Sequence, residues 1–320
     1  MNSIQEIGEQ ILSRDEFMIV GHAIPDGDCI GSLLGLYLGL MSLGKQVQMV
    51  LEDPVPPIYM YLAGVNDIME PEKFAQSLYN VIYLDCSDKY RVGKRVKKLL
   101  TGSSFIINID HHPTNDFFGH YNYVDPNAGA TAEIIYKLLK SIKVEITPDI
   151  ADALYAGIIK DTGSFLNNNT TSKTMKIAAD LLDSGADVNK ARINLIESKP
   201  REEVLLLREA LKHIDFSEDG KIAWMMLSYQ EAYDIGALDI HPEGIINYTR
   251  MIEGVEVALL FREISPGYVK VGFRSRGRID VSALAVSLGG GGHRQAAGAE
   301  QKGSLKEVKE KVLRIVREVV

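Results

Sequence analysis

The stretch Phe105-Ile106-Ile107-Asn108-Ile109-Asp110-His111-His112 places a carboxylate and two histidines directly after an apolar run. Three earlier segments are apolar in the same way, and helical stretches such as Ile30–Leu43 and Arg91–Leu100 separate them: Phe17–Val20, Val47–Leu51 and Val81–Leu84. Short continuous apolar runs are typical of parallel strands buried on both faces. Strands that alternate with helices indicate an α/β fold with right-handed crossovers. We therefore predict a mostly parallel sheet flanked by helices, with further helices at Ala130–Ser141, Pro148–Ile159 and Ser172–Ser184.

The chain of 320 residues exceeds the usual size of one domain, so we expect two. The composition changes near residue 190, after which we predict an amphipathic helix, three strands and two more helices: Arg201–His213, Lys221–Leu227, Val255–Arg262, Gly267–Arg274, Val281–Leu288 and Ser304–Val319. These patterns predict a first domain over residues 1–190 and a smaller α/β domain over residues 191–320.

The net charge of −8 argues against a protein that coats long duplex nucleic acid, because neutralisation of phosphates by lysine and arginine supplies most of that affinity. The first residues lack the basic start and apolar core of a signal peptide, and no apolar run approaches the roughly 20 residues that span a bilayer. The two cysteines, Cys29 and Cys86, form no disulfide framework. We therefore expect a cytoplasmic protein with no membrane partner.

Further candidate metal ligands occupy places similar to that of the Asp-His-His triplet. They follow the first and third apolar runs or close the helical segment that ends at Lys160: His22, Asp26, Asp28, Asp85 and Asp161. Imidazoles and carboxylates at the carboxyl ends of strands gather in the crevice of an open α/β sheet. Six such groups are enough for two divalent ions. His22 and Asp26 can reach one ion, and Asp85 can bridge both. The second ion would take Asp28, His111 and Asp161.

This ligand set indicates both the metal and the chemistry. Mixed imidazole and carboxylate ligands suit Mn²⁺, Zn²⁺, Fe²⁺ or Co²⁺ better than Ca²⁺ or Mg²⁺, and Mn²⁺ is the ion we expect. Two ions roughly 3.5–4 Å apart can activate a water and hold the oxygens of an in-line phosphoryl displacement. Asp110 is a candidate to orient a ligand histidine, and His112 to contact a substrate phosphate or protonate the leaving oxygen. The sequence thus predicts a dinuclear metallohydrolase.

Each of these residues has a simpler interpretation when it is taken alone. An aspartate after a strand is more often a helix cap or a turn former than a metal ligand, and paired histidines are often surface residues. We favour the metal site because each element occupies the same topological place in a strand-to-helix unit. Cys29 and Cys86 adjoin proposed ligands, and we interpret them as small buried packing residues.

A glycine run, Gly289-Gly290-Gly291-Gly292, precedes His293 in the second domain. It is not a P-loop, because no Gly-Lys-Ser/Thr follows, and a flexible hinge is the simpler alternative. The small residues after it suit the start of a helix, where backbone N–H groups bind anions well. The cationic cluster Arg274-Ser275-Arg276-Gly277-Arg278 lies upstream, and a solvated basic loop is its simpler alternative. Together these segments favour a pocket for a phosphate or carboxylate.

The combined pattern resembles that of a known family. The set His22-x-x-x-Asp26-x-Asp28, Asp85, Asp110-His111-His112 and Asp161 is similar to the motifs of the DHH phosphoesterase superfamily. The Gly-Gly-Gly-His segment resembles the signature of its DHH-associated C-terminal domain, so the resemblance spans nearly the whole chain. It implies two metals on the six ligands above, with His112 beside the reacting phosphate. It also implies a substrate-binding domain across a cleft, to which Arg274, Gly291, Gly292 and His293 would belong.

The length is similar to that of the nanoRNase/pAp-phosphatase branch of this superfamily. That branch degrades very short RNAs from one end and removes the 3′-phosphate from 3′-phosphoadenosine 5′-phosphate (pAp), so we expect short oligonucleotides or phosphorylated nucleotides as ligands. Three alternatives stay open: hydrolysis of linear or cyclic diadenylates, an inorganic pyrophosphatase of family II, and a non-catalytic nucleotide-binding regulator. The sequence also leaves the oligomeric state open between a monomer and a homodimer.

Overall fold

The computed structural model describes residues 1–74, 80–103, 105–240 and 244–320. The chain divides into two units, Met1–Ser198 and Lys199–Val320. This division follows residue 198, whereas the boundary that we predicted at residue 190 falls inside the short helix Val188–Ala191. No helix in the four described ranges is long and apolar enough to cross a lipid bilayer.

The first unit is built on a six-stranded parallel sheet. Its strands are β1 (Phe17–Val20), β2 (Val47–Val50), β3 (Ile68–Met69), β4 (Asn80–Leu84), β5 (Phe105–Asp110) and β6 (Tyr121–Val124). Their order is β3-β2-β1-β4-β5-β6, and every neighbouring pair runs parallel. The order reverses between β1 and β4, which is the place where an open α/β sheet leaves a crevice for ligands. The predicted fold class is therefore confirmed.

Both faces of this sheet are buried. Phe17 and Ile19 of β1 enter the core that contains helix residues from both ends of the unit, whereas Met18 and Val20 enter a second core on the opposite face. Because alternate residues of one strand are buried on opposite faces, the strand has no polar position. This is the physical reason for the continuous apolar runs in the sequence.

The helices of the first unit position its loops. They are α1 (Ile4–Leu12), α2 (Gly27–Ser42), α3 (Lys94–Leu99), α4 (Thr131–Ser141), α5 (Pro148–Asp161), α6 (Ser172–Asp183) and α7 (Val188–Ala191), which continues as a π-helical turn at Arg192–Glu197. Helices α2 and α5 approach closely because glycine lies at their contact. A Cβ on Gly31 would lie 2.3 Å from the Ala153 carbonyl oxygen, and one on Gly27 would lie 2.7 Å from the Lys160 Cβ. The start of α2 is thereby held against the end of α5.

The second unit contains a mixed sheet. Its elements are α8 (Arg201–Lys212), β7 (Asp215–Phe216), β8 (Ile222–Leu227), α9 (Tyr229–Asp234), α10 (Ile245–Arg250), β9 (Val257–Ser265), β10 (Tyr268–Ser275), α11 (Val281–Ser287), β11 (Gly291–His293), β12 (Ala296–Lys302) and α12 (Leu305–Arg317). The strand order is β11-β12-β10-β9-β8-β7, with β8 and β9 parallel and the other pairs antiparallel. Residues of α11 and α12 form one core with this sheet, and residues of α8, α9 and α10 form the other.

The glycine run differs from our expectation. We predicted that a helix begins after it, but Gly291–His293 instead pairs antiparallel with Ala296–Lys302 as a hairpin. Ala297 and Ala299 are buried in the core beneath α11 and α12, and the alternate positions of β12 lie on the other face of the sheet. This alternation is a strand pattern of small residues, and the small side chains conceal it from a reading of hydrophobicity alone. Several other short or terminal elements were also not predicted: strands β3, β6 and β7 and helices α1, α7, α9 and α10.

Candidate metal centre

The six predicted ligands come from the ends of different elements in the first unit. His22 follows β1, Asp85 follows β4, and His111 follows β5. Asp26 is the N-cap of α2 and Asp28 lies in its first turn, whereas Asp161 is the last residue of α5. The close packing of α2 against α5 therefore brings these three carboxylates to the crevice beside β1 and β4.

One group of side chains consists of His22, Asp26 and Asp85, whose potential ligand atoms all lie within 4.8 Å of one another. The Nε2 atom of His22 is 3.6 Å from Oδ1 of Asp26 and 3.4 Å from Oδ2 of Asp85. His22 and Asp85 are buried, whereas Asp26 is partly accessible. This arrangement has the size and the donor types of a site for one divalent ion.

A second group consists of Asp28, His111 and Asp161, again within 4.8 Å of one another. The Nε2 atom of His111 is 3.4 Å from Oδ2 of Asp161 and 3.9 Å from Oδ2 of Asp28. It is also 3.7 Å from Oδ1 of Asp85. Since the other oxygen of Asp85 faces His22, this one carboxylate lies between the two groups.

The histidine rings are oriented by backbone carbonyl groups. Nδ1 of His22 hydrogen-bonds to the Ala23 oxygen at 2.9 Å, and Nδ1 of His111 hydrogen-bonds to the Ala128 oxygen at 3.3 Å. A carbonyl oxygen only accepts, so Nδ1 carries the proton and Nε2 of each neutral ring presents a lone pair to the carboxylates. The Nε2 atoms and the carboxylate oxygens are all acceptors, so a cation or extra protons must lie between them. Hydrogen bonds from Nδ1 to a backbone carbonyl are usual for metal-ligating histidines.

The shifted pKa values of the histidine and carboxylate groups also indicate that this cluster requires positive charge. Burial lowers the pKa of His22, but hydrogen bonds to Asp26 and Asp85 outweigh it and raise the pKa to about 10. Burial raises the pKa of Asp28 well above its usual range, and the charges of Asp85 and Asp161 add to this. Burial also raises the pKa of Asp161 to about 6, although His111 opposes the shift. The donor set therefore fits divalent metal ions, which would replace protons there.

Asp110 and His112 form a separate pair. Nδ1 of His112 donates to Oδ1 of Asp110 at 2.7 Å, and Asp110 is fully buried. We expected Asp110 to orient a ligand histidine, but its partner is His112 and not His111, which uses the Ala128 carbonyl instead. The hydrogen bond to Asp110 raises the pKa of His112, even though burial lowers it. His112 is also near the metal-ligand groups, because its Nδ1 lies 3.6 Å from Oδ1 of Asp85.

Sequence reasoning predicted helix α4 but missed the role of its first residues at the site. The backbone N–H groups of Thr131 and Ala132 donate to Asp28 at 2.6 and 2.9 Å, and the Thr131 hydroxyl donates to Asp85 at 3.0 Å. The N-cap residue of α4, Ala130, has no capping side chain, so Asp28 performs this role from 103 residues away. The N-terminal end of a helix stabilises a carboxylate, which allows two negative charges to be buried here. The only sign of this role in the sequence is the run of small residues before a helix that has no capping side chain of its own.

The substrate-binding residues that we predicted lie together in the second unit. Arg274 and His293 are both register partners of Ala296, so they flank it on one face of the sheet. The adjacent row on that face consists of three glycines, Gly272, Gly298 and Gly291. Gly292, the fourth predicted residue, lies on the opposite face with φ 144°, where a Cβ would meet the Ala297 backbone at 2.5 Å. Its role is therefore to shape the hairpin.

The clustering of buried carboxylates predicts a conflict between stability and function. Because the folded-state pKa of Asp161 is about 6 against an ordinary 3.8, its contribution to stability is present below about pH 4 and is lost as the pH rises through 6. We expect Asp161→Asn to raise the free energy of unfolding of the metal-free protein by about 1–3 kcal/mol at pH 8, with the difference disappearing near pH 4. Urea denaturation in EDTA measures this, with the exposed Asp183→Asn as control. Lower stability of Asp161→Asn at pH 8 would contradict the prediction.

Two known protein families match parts of this chain. Residues 16–158 match the N-terminal domain of the DHH family, and residues 236–320 match the DHHA1 domain. Asp161 lies just beyond the first match.

Two curated relatives and one solved structure resemble most of the chain. The bifunctional oligoribonuclease and PAP phosphatase NrnA of Thermus thermophilus is 36% identical over 94% of this chain and 89% of its own length. The probable protein of the same name from Streptococcus mutans is 30% identical over 93% and 94%. The crystal structure of an exopolyphosphatase-related protein from Bacteroides fragilis superposes with a TM-score of 0.88 at 25% identity, covering 97% of this chain and 95% of that one. The chain therefore belongs to the DHH family and carries a DHHA1 domain in its second unit.

Proposed function

We propose that this protein is a metal-dependent phosphoesterase that hydrolyses short oligoribonucleotides and removes the 3′-phosphate of pAp. The observation that carries the proposal is the pair of adjacent ligand groups, with Asp85 a member of the first and 3.7 Å from His111 of the second. They occur in a chain that is 36% identical to a relative whose name states these two activities. A protein that only bound nucleotides would not need to bury so many carboxylates without cationic side chains.

The metal roles follow from the two groups. His22, Asp26 and Asp85 would hold one ion, and Asp28, His111, Asp161 and Asp85 the other. Mn²⁺ is the proposed ion, because mixed imidazole and carboxylate sites favour it over Mg²⁺. When bound, two such ions supply a nucleophilic water at neutral pH and neutralise charge on the phosphate oxygens.

The pair of Asp110 and His112 would provide acid catalysis. Asp110 accepts the Nδ1 proton, so the ring is held in one tautomer and Nε2 is directed away from this contact. The hydrogen bond to Asp110 raises the pKa of His112, which favours the protonated form of the ring. In that state Nε2–H can donate to the leaving oxygen of the substrate, which departs as an alcohol rather than an alkoxide.

The second unit would hold the substrate. A Cβ on Gly291 would meet nothing within 4 Å, and one on Gly298 only the Val271 oxygen at 3.5 Å. Neither residue has positive φ, so neither steric crowding nor backbone conformation requires glycine there. Glycine weakens a strand, and it often marks a place where a ligand approaches the backbone closely. Arg274 and His293 beside this glycine row supply groups that can bind a phosphate.

The same features limit the partners. The net charge of −8 and a local basic cluster suit a few phosphates rather than a long duplex. Both cysteines are free and buried, as is usual in a reducing compartment, and we propose the cytoplasm as the location.

A panel of substrates tests the function. With Mn²⁺ present, we expect the highest kcat/KM for di- to pentaribonucleotides and pAp, and slower hydrolysis of a 20-mer. Linear and cyclic diadenylates and inorganic pyrophosphate belong to the same panel, because they represent the alternative activities. A 20-mer hydrolysed as fast as a dinucleotide, or pyrophosphate as the preferred substrate, would show that the proposal is wrong.

The shared carboxylate gives the sharpest test of the metal centre. We expect about two Mn²⁺ per chain after loading and desalting, and a loss of both ions with nearly all turnover in Asp85→Ala. Asp26→Ala should lose one ion, because Asp26 belongs to only one group. Elemental analysis and steady-state kinetics measure this. Full metal content in Asp85→Ala would contradict the bridging role.

Substrate capture gives a different signature. His293→Ala should keep its metal but lose one to two decades in kcat/KM through a raised KM, since a charge-assisted contact contributes roughly 1.5–3 kcal/mol. Gly298→Val should raise KM similarly while leaving stability unchanged or higher, because valine suits a strand and meets open space. Glu300→Val, on the same face of β12, is the matched control. An unchanged KM for both His293→Ala and Gly298→Val would contradict the capture role.

A further inference from the structure

We propose that Asn115 is a positioning residue, which holds Asp110 and through it orients His112 for proton transfer to the leaving oxygen. The inference rests on the proposed phosphoester hydrolysis and assigns a role to a residue outside the Asp-His-His triplet. Asn115 follows that triplet by three residues and is buried, with 7% of its surface exposed.

Asn115 is the centre of a buried polar network. Its Nδ2 atom lies 2.7 Å from Oδ2 of Asp110, 2.8 Å from Oδ1 of Asn108 and 3.0 Å from the Cys86 carbonyl oxygen. Its Oδ1 atom accepts from the backbone N–H of Phe117 at 2.8 Å. The side chain thus joins the end of β4, strand β5 and the loop after the histidines.

The contacts determine the orientation of the amide. Three acceptors surround Nδ2 and a donor faces Oδ1, so a flipped amide would place oxygen against oxygen and NH₂ against N–H. Nδ2 carries two hydrogens, and the two shortest contacts are those with Asp110 and Asn108. The Asn108 amide donates to the Cys86 oxygen at 3.1 Å and so satisfies the third acceptor. A complete buried network of this kind specifies one geometry.

The consequence for Asp110 is that both of its oxygens are engaged. Oδ1 accepts from His112 and Oδ2 accepts from Asn115, and within the described ranges no second side chain reaches Oδ2. Without Asn115, the carboxylate would keep its bond to His112 but could rotate about χ2, and the imidazole would turn with it. Proton transfer depends on such alignment, because general acid catalysis requires hydrogen-bond reach to the reacting oxygen.

Two variants separate positioning from folding. Asn115→Asp is isosteric and still accepts from Phe117, but it replaces the donor to Asp110 by an acceptor. Asn115→Ala removes the donor without adding charge, and it answers the same question if Asn115→Asp does not fold. Asn122→Ala is the matched control, since Asn122 of β6 is also a buried asparagine but bonds through its amide to Gly119 and not to Asp110.

The readout is the dependence on the leaving group. The ribose oxygen of pAp needs a proton to depart, whereas 4-nitrophenolate departs without one. We expect the Asn115 variants to lose about 100-fold in kcat on pAp and less than threefold on 4-nitrophenyl phosphate, with unchanged metal content and KM. Asn122→Ala should stay within threefold of the wild type on both. ¹⁵N NMR should show one narrow set of His112 ring signals in the wild type and exchange-broadened signals in Asn115→Ala, because the ring then samples several orientations.

Three results would contradict the positioning role of Asn115. An equal loss on both substrates, a loss of metal, or the same selective loss in Asn122→Ala would overturn the positioning role. If neither Asn115 variant folds, the role of the network is structural and the proposal is wrong. Failure of the proposed function has another signature, because then the wild-type protein itself would hydrolyse neither pAp nor a dinucleotide.

Discussion

The structure of the first unit depends on two buried carboxylates, Asp28 and Asp85, which lie with the partly exposed Asp161 around two imidazoles. Burial of several negative charges in one place is unfavourable unless positive charge or hydrogen-bond donors surround them. The start of α4 donates two backbone N–H groups and a hydroxyl to this cluster. The packing of α2 against α5 and the reversal of strand order between β1 and β4 bring the remaining groups together. The crevice of the fold therefore requires cations, or protons in their place, to balance the charge of these carboxylates.

Structural and functional roles coincide in the same side chains. Asp26 is a helix N-cap, which accepts from the N–H groups of Asp28 and Cys29, and it also faces His22. Asp28 caps a second helix while it lies 3.9 Å from His111. The simple interpretation of an aspartate as a cap and its interpretation as a ligand are therefore compatible. A carboxylate held by backbone N–H groups has a fixed direction, and a fixed direction is what a metal ligand requires.

Four glycines in and beside the β11–β12 hairpin fall into two classes. Gly290 and Gly292 are required by the hairpin, because a Cβ on either would collide with backbone atoms of β12. Gly291 and Gly298 have no such requirement, and they lie beside the row that contains Arg274 and His293. The sequence shows only a glycine run, and the distinction comes from the pairing of strands. It also explains why the predicted helix start is absent, since a hairpin of small residues resembles a helix start in composition alone.

The sequence by itself determined four of the six strands of the parallel sheet and pointed to the six candidate donors, because both are encoded locally. A strand buried on two faces must be a continuous apolar run, and the donors follow such runs or lie at the start or end of a helix. Only the tertiary structure decided the second layer of contacts around them. Asp28 meets Thr131 across 103 residues, Asp110 selects His112 over His111, and Asn115 meets the Cys86 carbonyl across 29 residues. Hydrogen bonds between distant segments leave no periodicity in the sequence, since each depends on where two chain segments pack and on which way one side chain rotates.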